Sequence, residues 1–176
     1  RKVLALQRLS RQRPQPPDGM RQVLGGVKIK GNLKIFAIAG ASVLLLDQIT
    51  KYAVIAYLAQ YEVIETVPGF FNLVYYRNPG AAFGILNKAG SLGKFILLGI
   101  SAGALFFIAS LVRSSKDKLY TFGLSLIAGG AAGNLIDRAR EGSVVDFLDF
   151  HIGGLHWPAF NVADTAITIG VACALL

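Results

Sequence analysis

The chain is poor in the side chains on which most enzymatic chemistry depends. It has one cysteine, two histidines and ten acids among its 176 residues. The lone Cys173 excludes an internal disulfide or a multi-thiolate zinc site, and within an apolar run it reads as a small buried hydrophobe. His151 and His156 stand five apart around Gly153-Gly154 and match no HExxH pattern, so no metal centre is expected. Charged residues make up only 16% of the chain, against about 25% in an average soluble domain. No segment repeats, which argues against the paired halves common in secondary transporters. What is abundant is apolar: 53% of residues, with a mean hydropathy of +0.52. This is the composition of a membrane protein.

Four apolar stretches are predicted to be transmembrane helices, at about 35–58, 92–112, 119–136 and 161–176. The first is too long for the apolar core of a signal peptide and no A-x-A-like site follows it, so it reads as a retained anchor. The third contains Gly129, Gly130, Ala131, Ala132 and Gly133, small residues that let a neighbouring helix approach. The fourth would be only about 24 Å long, short of a ~30 Å hydrocarbon core, so a natural C-terminal end beyond Leu176 is expected.

Charge orients these spans. Nine of the 18 Lys/Arg lie between Arg1 and Lys34, against one acid, Asp18, so the head accounts for the whole net charge of +8. Such a run can be a nucleic-acid arm, but cationic flanks kept in the cytoplasm explain it better. The 113–118 link adds Arg113, Lys116 and Lys118, while the 59–91 and 137–160 links hold two basic residues each. Both termini and the 113–118 link are therefore expected inside, and the two longer links outside. Residues 1–33 read as a basic cytoplasmic arm, disordered in part around Pro14, Pro16 and Pro17, with Met20 an alternative start. Residues 34–176 read as the membrane domain.

In the first outer link, EVIETVPGFFNLVYY (62–76) predicts a hairpin about Pro68-Gly69. Its Phe70, Phe71, Tyr75 and Tyr76 would suit an interfacial aromatic belt. Asp47 and Lys51, four apart, share a helix face and read as an intramembrane ion pair. Asn134 and Asp137 share a face at the end of the third span, where Arg138 could pair with a carboxylate. Asp149, in the alternating stretch 145–150, reads as a solvated surface acid. A Ser143–Lys51 dyad is the weaker nucleophilic alternative.

The carboxylates remain. Acids that enter or border a bilayer are costly and mark functional sites or specific pairs. Two that meet can share one proton and hydrolyse an amide without a metal or covalent intermediate. Spacing does not choose the pair among Asp137, Asp146, Asp149 and Asp164. A small ion-coupled transporter using Asp47, Lys51 and Asp137 is the reading from another class.

Five segments carry a resemblance: DQITK (47–51), RNPGAAFG (77–84), GGAAGNLIDR (129–138), VVDF (144–147) and PAFNVADTAI (158–167). In order and approximate spacing they resemble the bacterial lipoprotein signal peptidases, or signal peptidase II, over about residues 33–176. The resemblance implies an all-α membrane fold of four transmembrane helices, with a small extracytoplasmic β-sheet cradle and a short helix. It implies a metal-independent aspartic endopeptidase of the bacterial inner membrane, without cofactor. Such an enzyme removes signal peptides from diacylglyceryl-modified prolipoproteins just before the lipidated cysteine. Its partners would be those substrates and membrane lipids, not nucleic acid, and it would work as a monomer inhibited by globomycin-type cyclic peptides. By motif, Asp146 and Asp164 are the implied catalytic pair, with Asn161 and Ala163 lining the site. Asp47, Lys51, Asn78, Gly80, Asn134, Asp137 and Arg138 match positions that shape or support it. The long basic head and the short fourth span depart from the family pattern.

Overall fold

The structure, a computed structural model, describes residues 18–80 and 91–176, with side chains described for 31–80 and 95–176. The start of the basic arm and positions 81–84 of the RNPGAAFG segment lie outside the described residues. Among the described residues there are four helices: α1 (Asp18–Tyr57), α2 (Ser91–Ser114), α3 (Lys118–Glu141) and α4 (Val162–Leu175). The same residues include four strands: β1 (Val63–Val67), β2 (Phe71–Asn78), β3 (Val144–Ile152) and β4 (Leu155–His156). Because β3 carries one of the implied catalytic acids, helices plus a small antiparallel sheet describe the fold better than all-α.

Helix ends follow local chemistry. α1 begins at Asp18 and so takes in the later part of the basic head. Asp117 caps α3 by accepting from the Tyr120 N–H at 2.8 Å. At its other end Gly142 adopts a left-handed φ of 75° and donates to Arg138 O. α3 therefore runs five residues past its predicted end at 136, keeping Asp137 and Arg138 on the helix.

α3 is the central helix, packed against α1, α2 and α4. Its small residues explain why. A Cβ at Gly129 would strike the Gly40 carbonyl and Val43 of α1, and one at Gly130 would strike Ala163 O of α4. In lipid, where apolar burial drives helices together weakly, such backbone approach supplies the packing. The outward faces are apolar: Ile38 is 68% exposed, Ile49 64% and Phe106 76%. A soluble protein rarely leaves such faces bare. Among the described residues three stretches, Gly31–Tyr57, Phe95–Ser114 and Lys118–Glu141, are long and apolar enough to cross a bilayer. α4 has 14 residues, about 21 Å of helix.

The strands form one antiparallel sheet in the order β1-β2-β3-β4. The predicted hairpin is there, turning at Pro68-Gly69 with Gly69 at φ 73°. Of its four aromatics Tyr75 departs from the expected belt, while Phe70 stays 50% exposed. Tyr75 is buried with Val54, Val145 and Phe147, tying the sheet to the end of α1, and Phe71 packs on the Phe150 ring. The bulge in β2 between Leu73 and Tyr76 turns the Tyr75 ring inward. Among the described residues no further helix stands in for the expected short one.

Candidate functional site

The sheet and the upper ends of α1, α3 and α4 enclose a polar cluster in otherwise apolar surroundings. Lys51 on α1 is 2% exposed and pairs with Asp47 Oδ2 at 2.9 Å and Asp137 Oδ2 at 2.8 Å. Its third donor reaches Asn134 Oδ1 at 2.9 Å. All three ammonium protons are thus used, which removes Lys51 as the base of a Ser143 dyad. The expected Asp47–Lys51 pair is real but incomplete as a description, because Asp137 makes it a triad. Two acids on one cation leave excess negative charge, and Gln48 offsets it. Its Nε2 donates to Asp47 at 3.2 Å and to Asp137 at 3.0 Å. Sequence reasoning missed Gln48, since a residue directly after Asp47 points to a different part of the helix face.

From this triad the network reaches the implied pair. Asp47 Oδ1 accepts the backbone N–H of Ala163 at 3.0 Å, fixing the start of α4 against α1. Asn134 donates to Asp164 Oδ1 at 2.9 Å. Asn161, fully buried, does two things. Its Oδ1 caps α4 by accepting from Asp164 N at 3.0 Å, and its Nδ2 donates to Asp146 Oδ1 at 2.7 Å. One side chain therefore sets the backbone of Asp164 and the carboxylate of Asp146. Asn78 completes the grip by donating to Asp146 Oδ2 at 2.8 Å, while its Oδ1 accepts from Gly80 N at 2.8 Å.

Burial pushes the Asp146 carboxyl up to about 6 from 3.8, against the hydrogen bonds of Asn78 and Asn161, and the charge of Asp164 adds to the rise. A carboxyl near 6 can both take and give a proton close to neutrality. A cavity of about 320 Å³ lies beside Asp164, lined by Trp157, Phe160, Thr165, Thr168 and Ile169. A larger one of about 510 Å³ touches Lys51 and Asp137 but neither Asp146 nor Asp164.

The structure thus joins Asp47, Lys51, Asn78, Gly80, Asn134, Asp137, Asp146, Asn161, Ala163 and Asp164 in one connected network. Arg138 stands apart. Among the described residues no acid pairs with it, and its buried Nε has no hydrogen-bond partner. The reading of Asp149 needs correction. It is 4% exposed and accepts from Asn72 at 2.9 Å and from His156 at 2.9 Å, which together outweigh burial and hold its carboxyl below the usual range. Alternation along β3 had suggested a solvated face, but β2 and β4 bring their own polar residues to cover it.

Comparison with known proteins decides the lineage. The family profile described as Signal peptidase (SPase) II matches residues 39–176. The chain belongs to the signal peptidase II family. It is 47% identical over 147 residues to the lipoprotein signal peptidase of Syntrophus aciditrophicus (strain SB), covering 81% of this chain and 91% of that protein. To the lipoprotein signal peptidase of Ralstonia nicotianae it is 50% identical over 134 residues, 76% of this chain and 77% of that one. Its fold is similar to a bacterial membrane enzyme solved by the in meso method at 1.9 Å. There the TM-score is 0.72 and the identity 33%, over 80% of this chain and 89% of that chain. Membership makes the chain a membrane protease and removes the transporter reading.

Proposed function

We propose that this membrane protease is a lipoprotein signal peptidase that works as a metal-independent aspartic endopeptidase, with Asp146 and Asp164 as its catalytic pair. Its substrates are diacylglyceryl-modified prolipoproteins, cut just before the lipidated cysteine. All four helices span the bacterial inner membrane, both termini lie in the cytoplasm, and a single copy of the chain suffices. The active site then lies at the outer face, where the basic-residue bias puts the sheet.

The observation that carries this reading is the single Asn161 side chain tying Asp146 to the first turn of α4, where Asp164 sits. With the Asp146 carboxyl raised to about 6 beside the charge of Asp164, the pair can hold one proton as pH falls toward that value. The ionised partner takes a proton from water as the water oxygen attacks the scissile carbonyl carbon. The protonated partner donates to the carbonyl oxygen in the same step. A proton then passes to the amide nitrogen, the C–N bond breaks, and a carboxylic acid and a free amine leave. The triad of Lys51, Asp47 and Asp137 touches no reacting atom in this scheme; it positions Asn134 and α4. A substrate held by its lipid anchor meets the pair already confined to the membrane plane, which lowers the entropic cost of encounter.

The test is direct. Purified protein is incubated with a diacylglyceryl-modified precursor, with and without globomycin, and release of the signal segment is followed. Asp146→Asn and Asp164→Asn are expected to insert and fold but release nothing. Cleavage retained in either variant would overturn the assignment.

A further inference from the structure

Two guanidiniums outside the catalytic network share one cavity. Arg77 lies on β2 with its side chain only 22% exposed, yet its one close contact is Nε donating to the Tyr75 hydroxyl at 2.9 Å. Its acid, Glu141, stands off at 3.6 Å, against about 2.7–2.9 Å for a strong charged hydrogen bond. Arg140 is exposed in the last turn of α3, and among the described residues its side chain has no ion pair or hydrogen bond. Both line the cavity of about 510 Å³ that reaches Lys51 and Asp137. Neither Asp146 nor Asp164 borders it, and it shares no lining residue with the cavity beside Asp164.

The opposite wall of the cavity is α1. Leu45, Ile49, Tyr52 and Ile55 stand three or four positions apart, so they form one stripe along the helix. All four are exposed, Leu45 at 61% and Tyr52 at 74%. The stripe belongs to the stretch Gly31–Tyr57 that is long and apolar enough to cross a bilayer, and it rises about 15 Å. That is the depth of one leaflet, half of a ~30 Å hydrocarbon core. The cavity therefore has two cations against one acid, Glu141, at its rim, and an apolar strip one leaflet deep beside them.

We propose that this cavity is a phospholipid site separate from the catalytic pair: one glycerophospholipid sets its phosphodiester between Arg77 and Arg140 and lays an acyl chain along Leu45, Ile49, Tyr52 and Ile55. Guanidinium forks match phosphate oxygens, and the loose Glu141 contact gives way to the closer anion. A diacylglyceryl group, as on the proposed substrate, carries no phosphate and leaves both guanidiniums unanswered. A free phosphate answers them but leaves the apolar strip bare. A lipid seated here lies over Lys51 and Asp137, so the membrane itself shields the triad that holds Asn134 and α4.

The full chain in detergent is titrated with phosphatidylglycerol, with diacylglycerol of the same acyl chains, and with inorganic phosphate, and bound species are counted by native mass spectrometry. One phosphatidylglycerol per chain is expected to bind about tenfold more tightly than diacylglycerol, with no phosphate adduct. Arg140→Glu, at an exposed position, is expected to keep its helical circular dichroism and to lose about tenfold in phosphatidylglycerol affinity, with diacylglycerol binding unchanged. Arg77→Gln should do the same. Saturating globomycin should leave the phosphatidylglycerol bound. Equal binding of the two lipids, or an Arg140→Glu variant that binds phosphatidylglycerol as tightly as the parent, would overturn the proposal. Competition by inorganic phosphate would overturn it in favour of a free-anion site, and displacement by globomycin in favour of the catalytic groove. No cleavage is measured, so failure here is distinct from failure of the peptidase reading.

Discussion

Replacing Asp146 by asparagine tests both the burial and the chemistry of the pair. A carboxyl lifted from 3.8 to about 6 binds its proton more tightly in the folded state than in the unfolded one. The stability it contributes is complete below the unfolded value of 3.8 and is lost as pH rises through the folded value of about 6. At about 1.36 kcal/mol per pH unit between these values, the folded state gives up about 3 kcal/mol between pH 4 and pH 7. For a chain of this size that is a fall of about 6–12 °C in melting temperature. The side-chain amide of the Asp146→Asn variant does not titrate, but it carries a cost of its own. Both Asp146 oxygens accept from amide donors, and neither donor can turn over freely, because Asn161 Oδ1 is held by Asp164 N and Asn78 Oδ1 by Gly80 N. The new NH2 group must then face one of these donors, costing about 1–3 kcal/mol. The variant should melt below the parent near pH 4, and the two curves should converge or cross by pH 7. Melting in detergent micelles across this range, with circular dichroism at each end, measures it. A gap between the two proteins that stays constant with pH would refute the argument that Asp146 is a buried carboxyl with a raised proton affinity.

Other outcomes follow from the same network. Lys51→Met leaves Asp47 and Asp137 buried without their cation, a loss of about 3–5 kcal/mol; adding Asp137→Asn should recover part of it in the same melt. Gly133→Ala puts a methyl group into Asp47 Oδ2, which should displace the triad and lower cleavage by about 10²-fold. Gly99→Ala, where a Cβ meets nothing within 4 Å, should leave cleavage unchanged as its control. Asp149→Asn should lower stability by about 1–3 kcal/mol while leaving the cleavage rate near the parent's, because Asp149 staples the hairpin and does not touch the pair. Since the Asp149 carboxyl sits below its ordinary range, its contribution is present above that range and lost as pH falls through the lower folded value, so the parent and variant melts should approach each other in acid.

Much of the architecture was legible along the chain. Apolar runs located the helices, Pro68-Gly69 located a hairpin, and the i, i+4 spacing of Asp47 and Lys51 predicted their contact. The misreadings share a cause. Asp149 looked solvated because its own strand alternates, and only Asn72 of β2 and His156 of β4 make it a buried acceptor. Tyr75 looked interfacial, and only the bulge in β2 turns it into the core. Gln48 was invisible because its partners Asp137 and Gly133 lie 89 and 85 positions away.

By itself the sequence determined which segments avoid water, which acids border them, and, through its basic head, the side on which the sheet is expected. These properties depend on composition and on neighbours along one helix or strand, where spacing and direction are tied by fixed geometry. Only the tertiary structure decided that one lysine answers two aspartates and that Asn161 serves Asp146 and the backbone of Asp164 together. Those contacts depend on how closely α1, α3 and α4 approach, and that distance is set where Gly129, Gly130 and Gly133 meet backbone and carboxylate across the gap.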